Sequence, residues 1–214
     1  LAPPHEGMGL QSLKNAVTNE EFLAEDMAKN NPIIWKLELT TDISEKDKLF
    51  TIDNTAPADR RSYTKEDDKM ILKWEGVKVP NEDGKMDVTA EIAVSQFHEM
   101  TDWKIHVDYN NEKAKLWRVI FPVVDFGTIG DSGEDDYYLT STYEGRAVRN
   151  PIGKEVLDEA INVDGPVEIR DEIDYGISTQ RPTGNDYPNQ NMLMQLTAYY
   201  EQKDSFYLEG IFLL

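Results

Sequence analysis

Residues 116–121 read Leu-Trp-Arg-Val-Ile-Phe, a strand pattern that is apolar at both parities. Trp117, Val119 and Phe121 share one parity; Leu116 and Ile120 share the other, with Arg118 as the one polar member. A strand apolar on both faces must be covered on both sides, which predicts a central strand in a layered sheet protein. Pro122 then ends or edges the ladder, because it has no N–H to donate. The chain next enters a Gly- and Asp-rich loop over residues 127–136. Asp131, Glu134, Asp135 and Asp136 bring four carboxylates into six residues there. An alternating strand is expected over residues 137–143. A rigid element that delivers a polar loop is a common way of presenting binding groups.

The flanking sequence extends the β pattern. In residues 33–39, Ile33, Trp35, Leu37 and Leu39 alternate with Lys36 and Glu38. Residues 41–69 are polar and read as a long loop or a pair of edge strands, with a short strand over 49–52. Strands are expected at 70–74, 86–94 and 103–109. The second of these alternates most cleanly, with Met86, Val88, Ala90, Ile92 and Val94 on one face. With 116–121 they make four strands in sequence joined by short turns, the pattern of an antiparallel meander. Residues 9–23 admit two readings. Leu10, Leu13 and Val17 fit a helical period, whereas the turn formers Asn15, Thr18 and Asn19 fit a hairpin whose turn spans 15–20.

Beyond the acidic loop, 145–148 reads as a partner strand. Residues 152–160 read as a short amphipathic helix, with Asn150 as cap and Pro151 at its first position. Residues 162–191 read as an irregular excursion. Strands at 192–200 and 206–214 close the chain, whose apolar end leads us to expect a longer natural protein. No repeat or composition shift marks a boundary, so residues 1–214 are expected to form one domain.

Composition narrows the function classes. A net charge of −19 disfavours nucleic acid and anionic membrane surfaces, which need clustered Lys and Arg. Its plain reading is a solvated surface. The chain has no cysteine, which excludes disulfides, thiolate metal sites and a Cys nucleophile. No run of about 18 apolar residues exists, so no membrane-spanning helix is expected.

Several short words resemble a known family. They are Trp117-Arg118-Val119-Ile120-Phe121-Pro122, then Gly130-Asp131-Ser132-Gly133-Glu134-Asp135-Asp136-Tyr137, then Arg149-Asn150-Pro151. Tyr187-Pro188, Met194-Gln195, Ala198-Tyr199-Tyr200 and Phe206-Tyr207-Leu208 add to these, with weaker words over 72–76 and 87–89. Together they resemble the N-terminal galactose-mutarotase-like β-sandwich of large bacterial glycoside-hydrolase-like proteins, over roughly residues 70–210. Residues 9–23 are similar to the opening hairpin of such sandwiches.

The resemblance implies an all-β fold, a large antiparallel β-sandwich with one short helix, and a periplasmic or extracellular location. It also implies a (β/α)8 barrel partner domain beyond Leu214, carrying the catalytic carboxylates. The family's Gly-rich turn and His-Asp strand end are replaced here by residues 205–210. By resemblance, then, this chain is a non-catalytic module supporting or lining a carbohydrate site. The alternatives are a stand-alone carbohydrate-binding module and a mutarotase-type enzyme.

The candidate ligand-binding residues are Asp131, Glu134, Asp135, Asp136, Tyr137 and Tyr138. The plainest reading of the loop is a solvated turn. A sugar- or partner-facing loop comes second. A Ca²⁺ site comes third, since glycines let carboxylates and carbonyls converge on a hard cation. Glycoside hydrolysis would need a pair of carboxylates about 5–10 Å apart flanking a sugar, which adjacent loop residues do not supply by sequence.

Among three histidines, His5 is expected in a frayed terminus, His106 facing outward or lining a concave sheet, and His98 next to Glu99 and near Asp102. A mutarotase-type reaction would need such a pair as acid and base. No metal-ligand spacing, phosphate loop or GxSxG is present, and no resident cofactor is expected. Trp35, Trp74, Trp103 and Trp117 read as core, whereas flat tyrosine rings such as Tyr199 and Tyr200 suit a sugar-binding surface.

Overall fold

The computed structural model describes residues 1–15, 17–24, 33–41, 49–80, 84–94, 101–111, 113–124, 127–130, 132–142, 146–149, 192–202 and 208–213. At 94, 138–142, 146–149, 192–202 and 208–213 the backbone alone is described. The chain divides into two compact units. The first is Leu1–Leu13 with Leu23–Phe126, and the second is Lys14–Phe22 with Gly127–Leu214. The described residues are all-β apart from short 3-10 turns. The helix expected over 152–160 and the excursion over 162–191 lie outside them.

The first unit holds β1 (Lys36–Thr40), β2 (Leu49–Asp53), β3 (Arg60–Lys65), β4 (Lys69–Lys78), β5 (Lys85–Val94), β6 (Thr101–Asp108) and β7 (Lys115–Ile120). They form two antiparallel sheets, ordered β2-β1-β7 and β3-β4-β5-β6. The alternation read in residues 86–94 sets the second sheet. Trp74 pairs with Val88, which pairs with Val107; Leu72 pairs with Ala90, which pairs with Ile105. These rows give one apolar face, and Lys73, Thr89 and His106 give a polar row on the other. Leu37 and Leu39 of β1 and Ile52 of β2 join Leu72, Trp74, Val88 and Ala90 in one buried cluster, so the two sheets make a sandwich. Trp35 and Trp74 meet edge to face at its centre, ring centroids 5.5 Å apart.

A buried polar node ties the N-terminal segment into this core. Asn54 is fully buried. Its Oδ1 accepts the Ile34 N–H at 2.8 Å, and its Nδ2 donates to the Gly7 carbonyl at 3.2 Å. The Trp74 Nε1–H donates to the same carbonyl at 3.0 Å. Gly7 has φ +95, and a Cβ there would come 3.0 Å from the Asn54 carbonyl oxygen, so the position favours glycine. Ala2, Met8 and Leu10 are buried as well. The expectation of a frayed terminus around His5 is corrected: His5 and Glu6 are exposed, but Ala2 before them and Met8 after them are buried.

Strand β7 corrects two further expectations. It is not central, and it is not the fourth strand of a meander with β4, β5 and β6. It lies at the edge of the other sheet, paired with β1. The meander's fourth member is instead β3, from the polar stretch read as a loop or a pair of edge strands; β2 and β3 are such edges, in different sheets. The physical reason is a bulge. Leu37 and Leu39 pair with Val119 and Leu116, and the register shifts between Glu38 and Leu39, so Trp117 has no partner in register. The bulge breaks the period of two, and Leu116 and Val119 fall opposite inward residues although they are three apart. Ile120 falls opposite the outward Lys36, so the apolar residues of β7 do not share one face, and of these Leu116 packs against the core. Trp117 and Val119 each keep 39% of their surface exposed, so Trp117 is no core tryptophan. On the outer face Arg118 forms a two-pronged ion pair with Glu38, at 2.9 and 2.8 Å.

The second unit holds β8 (Asp136–Thr142), β9 (Arg146–Arg149), β10 (Met192–Gln202) and β11 (Leu208–Leu213). They form an antiparallel sheet ordered β11-β10-β8-β9. Of the two readings of residues 9–23, the hairpin is the one found. Lys14 and Glu21 form an antiparallel bridge. The Asn15 N–H donates to the Glu20 carbonyl at 2.9 Å, and Asn15 Oδ1 accepts the Val17 N–H at 2.8 Å. Asn19 closes the turn at φ 62, a conformation asparagine tolerates. Among the described residues no helix is long and apolar enough to cross a membrane.

Candidate functional site

The acidic loop sits in the second unit, between the Lys14–Phe22 hairpin and β8. Its start is fixed by the hairpin: the Gly127 N–H donates to the Phe22 carbonyl at 2.9 Å. Two successive amides are then taken by carboxylates. The Ile129 N–H donates to Asp136 Oδ2 at 3.1 Å, and the Gly130 N–H donates to Glu20 Oε1 at 2.8 Å. Gly130 has φ 70, which turns its amide toward Glu20 without a Cβ penalty. Ile129 is buried beneath this clamp. The next turn is capped by Ser132, whose Oγ accepts the Glu134 N–H at 3.1 Å. A short 3-10 turn over Gly133–Asp135 leads into β8, and the Asp136 N–H closes it on the Gly133 carbonyl.

This geometry assigns the expected site residues different roles. Asp136 is fully buried, so it is part of the loop's frame. A carboxylate that accepts a backbone N–H in the interior is the stronger kind of hydrogen bond, and removing it leaves a buried amide unsatisfied. Glu134 is exposed, and Asp135 and Tyr137 are half-buried at the loop's surface. Tyr138 follows in β8, in register with Tyr199 on β10 and Val148 on β9. Asp131 lies outside the described residues. Among the described residues, no group of three or more His, Asp or Glu side chains is placed to hold a metal ion.

Glu20 is the participant that sequence reading missed. It lies 110 residues from Gly130, and nothing local marks it. His106 is exposed on β6 opposite Thr89, as its alternation implied, and His98 lies outside the described residues. No family model matches the chain, no curated protein matches it, and no solved structure matches it, so nothing in these comparisons identifies a galactose-mutarotase-like domain.

Proposed function

We propose that the chain is a non-catalytic β-sandwich module of a glycoside-hydrolase-like protein, with the acidic loop lining a carbohydrate site. The observation that supports this reading is the clamp on Ile129 and Gly130 by Asp136 and Glu20. A loop held in one shape before its ligand arrives loses little entropy on binding. Carboxylates at the surface of such a loop accept hydrogen bonds from sugar hydroxyls, and the half-buried Tyr137 beside them offers an apolar ring. On this reading catalysis belongs to a barrel partner domain, and the protein works outside the cytoplasm.

The test is calorimetric titration of the whole chain with neutral oligosaccharides of glucose, galactose, mannose and xylose. Binding by one of them, weakened when Glu134→Ala and Asp135→Ala are combined, supports the reading. Absence of binding to all of them at millimolar concentration overturns it.

A further inference from the structure

Residues 113–118 read Lys-Ala-Lys-Leu-Trp-Arg, three cations and no carboxylate in a chain whose net charge is −19. Strand β7 lies in this stretch, and among the described strands it pairs with β1 alone. The register with β1 sorts its side chains. Leu116 and Val119 stand opposite Leu39 and Leu37, on the core side. Lys115 and Arg118 stand opposite Thr40 and Glu38, on the outer side. Arg118 is engaged by Glu38. Lys115 Nζ donates to the Asn111 carbonyl at 2.8 Å, and among the described residues no carboxylate pairs with it or with Lys113. Among the described residues the exposed large apolar side chains are Val17, Tyr63, Trp117 and Val119, and the last two share β7. The sandwich also closes less tightly on this side. Trp74 of β4 and Val88 of β5 are buried, whereas Trp103, Ile105 and Val107 of β6 are half-buried. Trp103 meets Phe121, just past β7, with ring centroids 6.1 Å apart.

We propose that β7 takes up an extended acidic segment of a partner protein as an added strand, on the side away from β1. In strand addition the backbone edge supplies hydrogen bonds whatever the partner's sequence, and alternate side chains set the selectivity. Leu116 and Val119 lie on one side of β7, and Lys115 and Arg118 on the other. The partner that fits therefore alternates apolar residues toward the core with carboxylates toward the outer face. Its apolar residues cover surface that Trp117 and Val119 leave open to water. Its carboxylates meet Lys113 and Lys115. A second copy of the chain fits the same edge poorly. Two β7 strands side by side bring the cations of one against those of the other, and like charges across a ladder are destabilising. The lysines guard the edge against self-pairing while leaving it open to the opposite charge. The ligand is a protein segment, so this surface does not depend on the carbohydrate reading.

The experiment uses the whole chain and two synthetic peptides, one alternating Val with Glu and the other alternating Val with Lys. Binding is followed by fluorescence anisotropy at low and at physiological salt. The Val–Glu peptide should bind, more weakly as salt rises, and the Val–Lys peptide should not. Lys113→Glu combined with Lys115→Glu should weaken the Val–Glu peptide about fivefold. Lys73→Glu, at an exposed lysine of β4, should leave its affinity unchanged. In the wild type, the bound Val–Glu peptide should slow amide exchange in β7 and leave it unaltered in β3, at the edge of the other sheet. The wild-type readings need no substitution, so they decide the matter even if a charge-reversed variant fails to fold. If both peptides bind equally, or neither binds at millimolar concentration, the acidic-strand site is overturned. Binding of the Val–Glu peptide without protection of β7 overturns it too, because the peptide then sits elsewhere. If every β7 amide is already protected in the free chain, the edge is covered and the site is likewise overturned. Protection that falls on dilution then identifies a second copy as the cover, and protection that does not identifies the chain's own residues.

Discussion

Strands β5 and β7 have similar apolar content and opposite fates. Strand β5 alternates without interruption from Met86 to Ile92, pairs on both sides, and buries Met86, Val88 and Ala90 almost completely. Strand β7 carries larger apolar residues, yet among the described strands it pairs with β1 alone and leaves Trp117 and Val119 partly exposed. Apolar content is therefore a poor guide to position in a sheet. Unbroken alternation is a better one, because a single bulged residue moves everything after it to the other face.

The largest expected contrast is between two tryptophans, one on each side of that comparison. Trp74→Ala removes a fully buried ring packed on Trp35 and the donor to the Gly7 carbonyl. It should cost about 3–5 kcal/mol in denaturant unfolding. Trp117→Ala, at the bulge, should cost about 1 kcal/mol or less. Equal losses would break the comparison. Next comes Asn54→Ala, which leaves the Ile34 N–H without its buried acceptor. A loss of about 1–3 kcal/mol is expected, and a loss near zero would show that the polar node is dispensable.

A smaller effect is expected at Gly76, in the register shift of the β4–β5 ladder. It has φ +64, and a Cβ there would run into the Asp59 carboxylate. Gly76→Ala should cost about 1–2 kcal/mol for the left-handed conformation alone, read from the same unfolding curves. The smallest effect belongs to Asp59, which accepts a hydrogen bond from Lys85 Nζ at 2.6 Å. That bond holds its carboxyl below the ordinary carboxylate value. A lowered folded-state value means the contribution is complete above the unfolded-state value and fades as pH falls from there through the folded-state value. Asp59→Asn should therefore lower stability slightly at neutral pH and not in strong acid. A loss that persists in strong acid would point to packing instead of charge.

Much of the sandwich was legible because its strands alternate. Residues 33–39, 70–74, 86–94 and 103–109 each correspond to strands that the structure contains, with boundaries shifted by a few residues. The turn at 15–20 was legible from asparagine chemistry. Strand β3 was legible only as one of two readings, an edge strand or a loop, since Arg60–Lys65 is polar apart from Tyr63 and becomes a strand because β4 offers it an edge. The bulge in β7 was hidden, because a slip in register depends on the partner strand. The acidic loop announced itself by composition, but not the division of labour within it. That Asp136 is buried while Glu134 faces water follows from Ile129 and Glu20, and those contacts cross between elements that no local pattern connects.

Amide hydrogen exchange in the native state, resolved residue by residue, compares the two strands most directly. Amides throughout β5 should exchange only through global unfolding, while alternate amides of β7, which pairs with β1 alone among the described strands, should exchange orders of magnitude faster. Uniform protection of β7 at the level of β5 would contradict this, because β7 would then be paired on both sides.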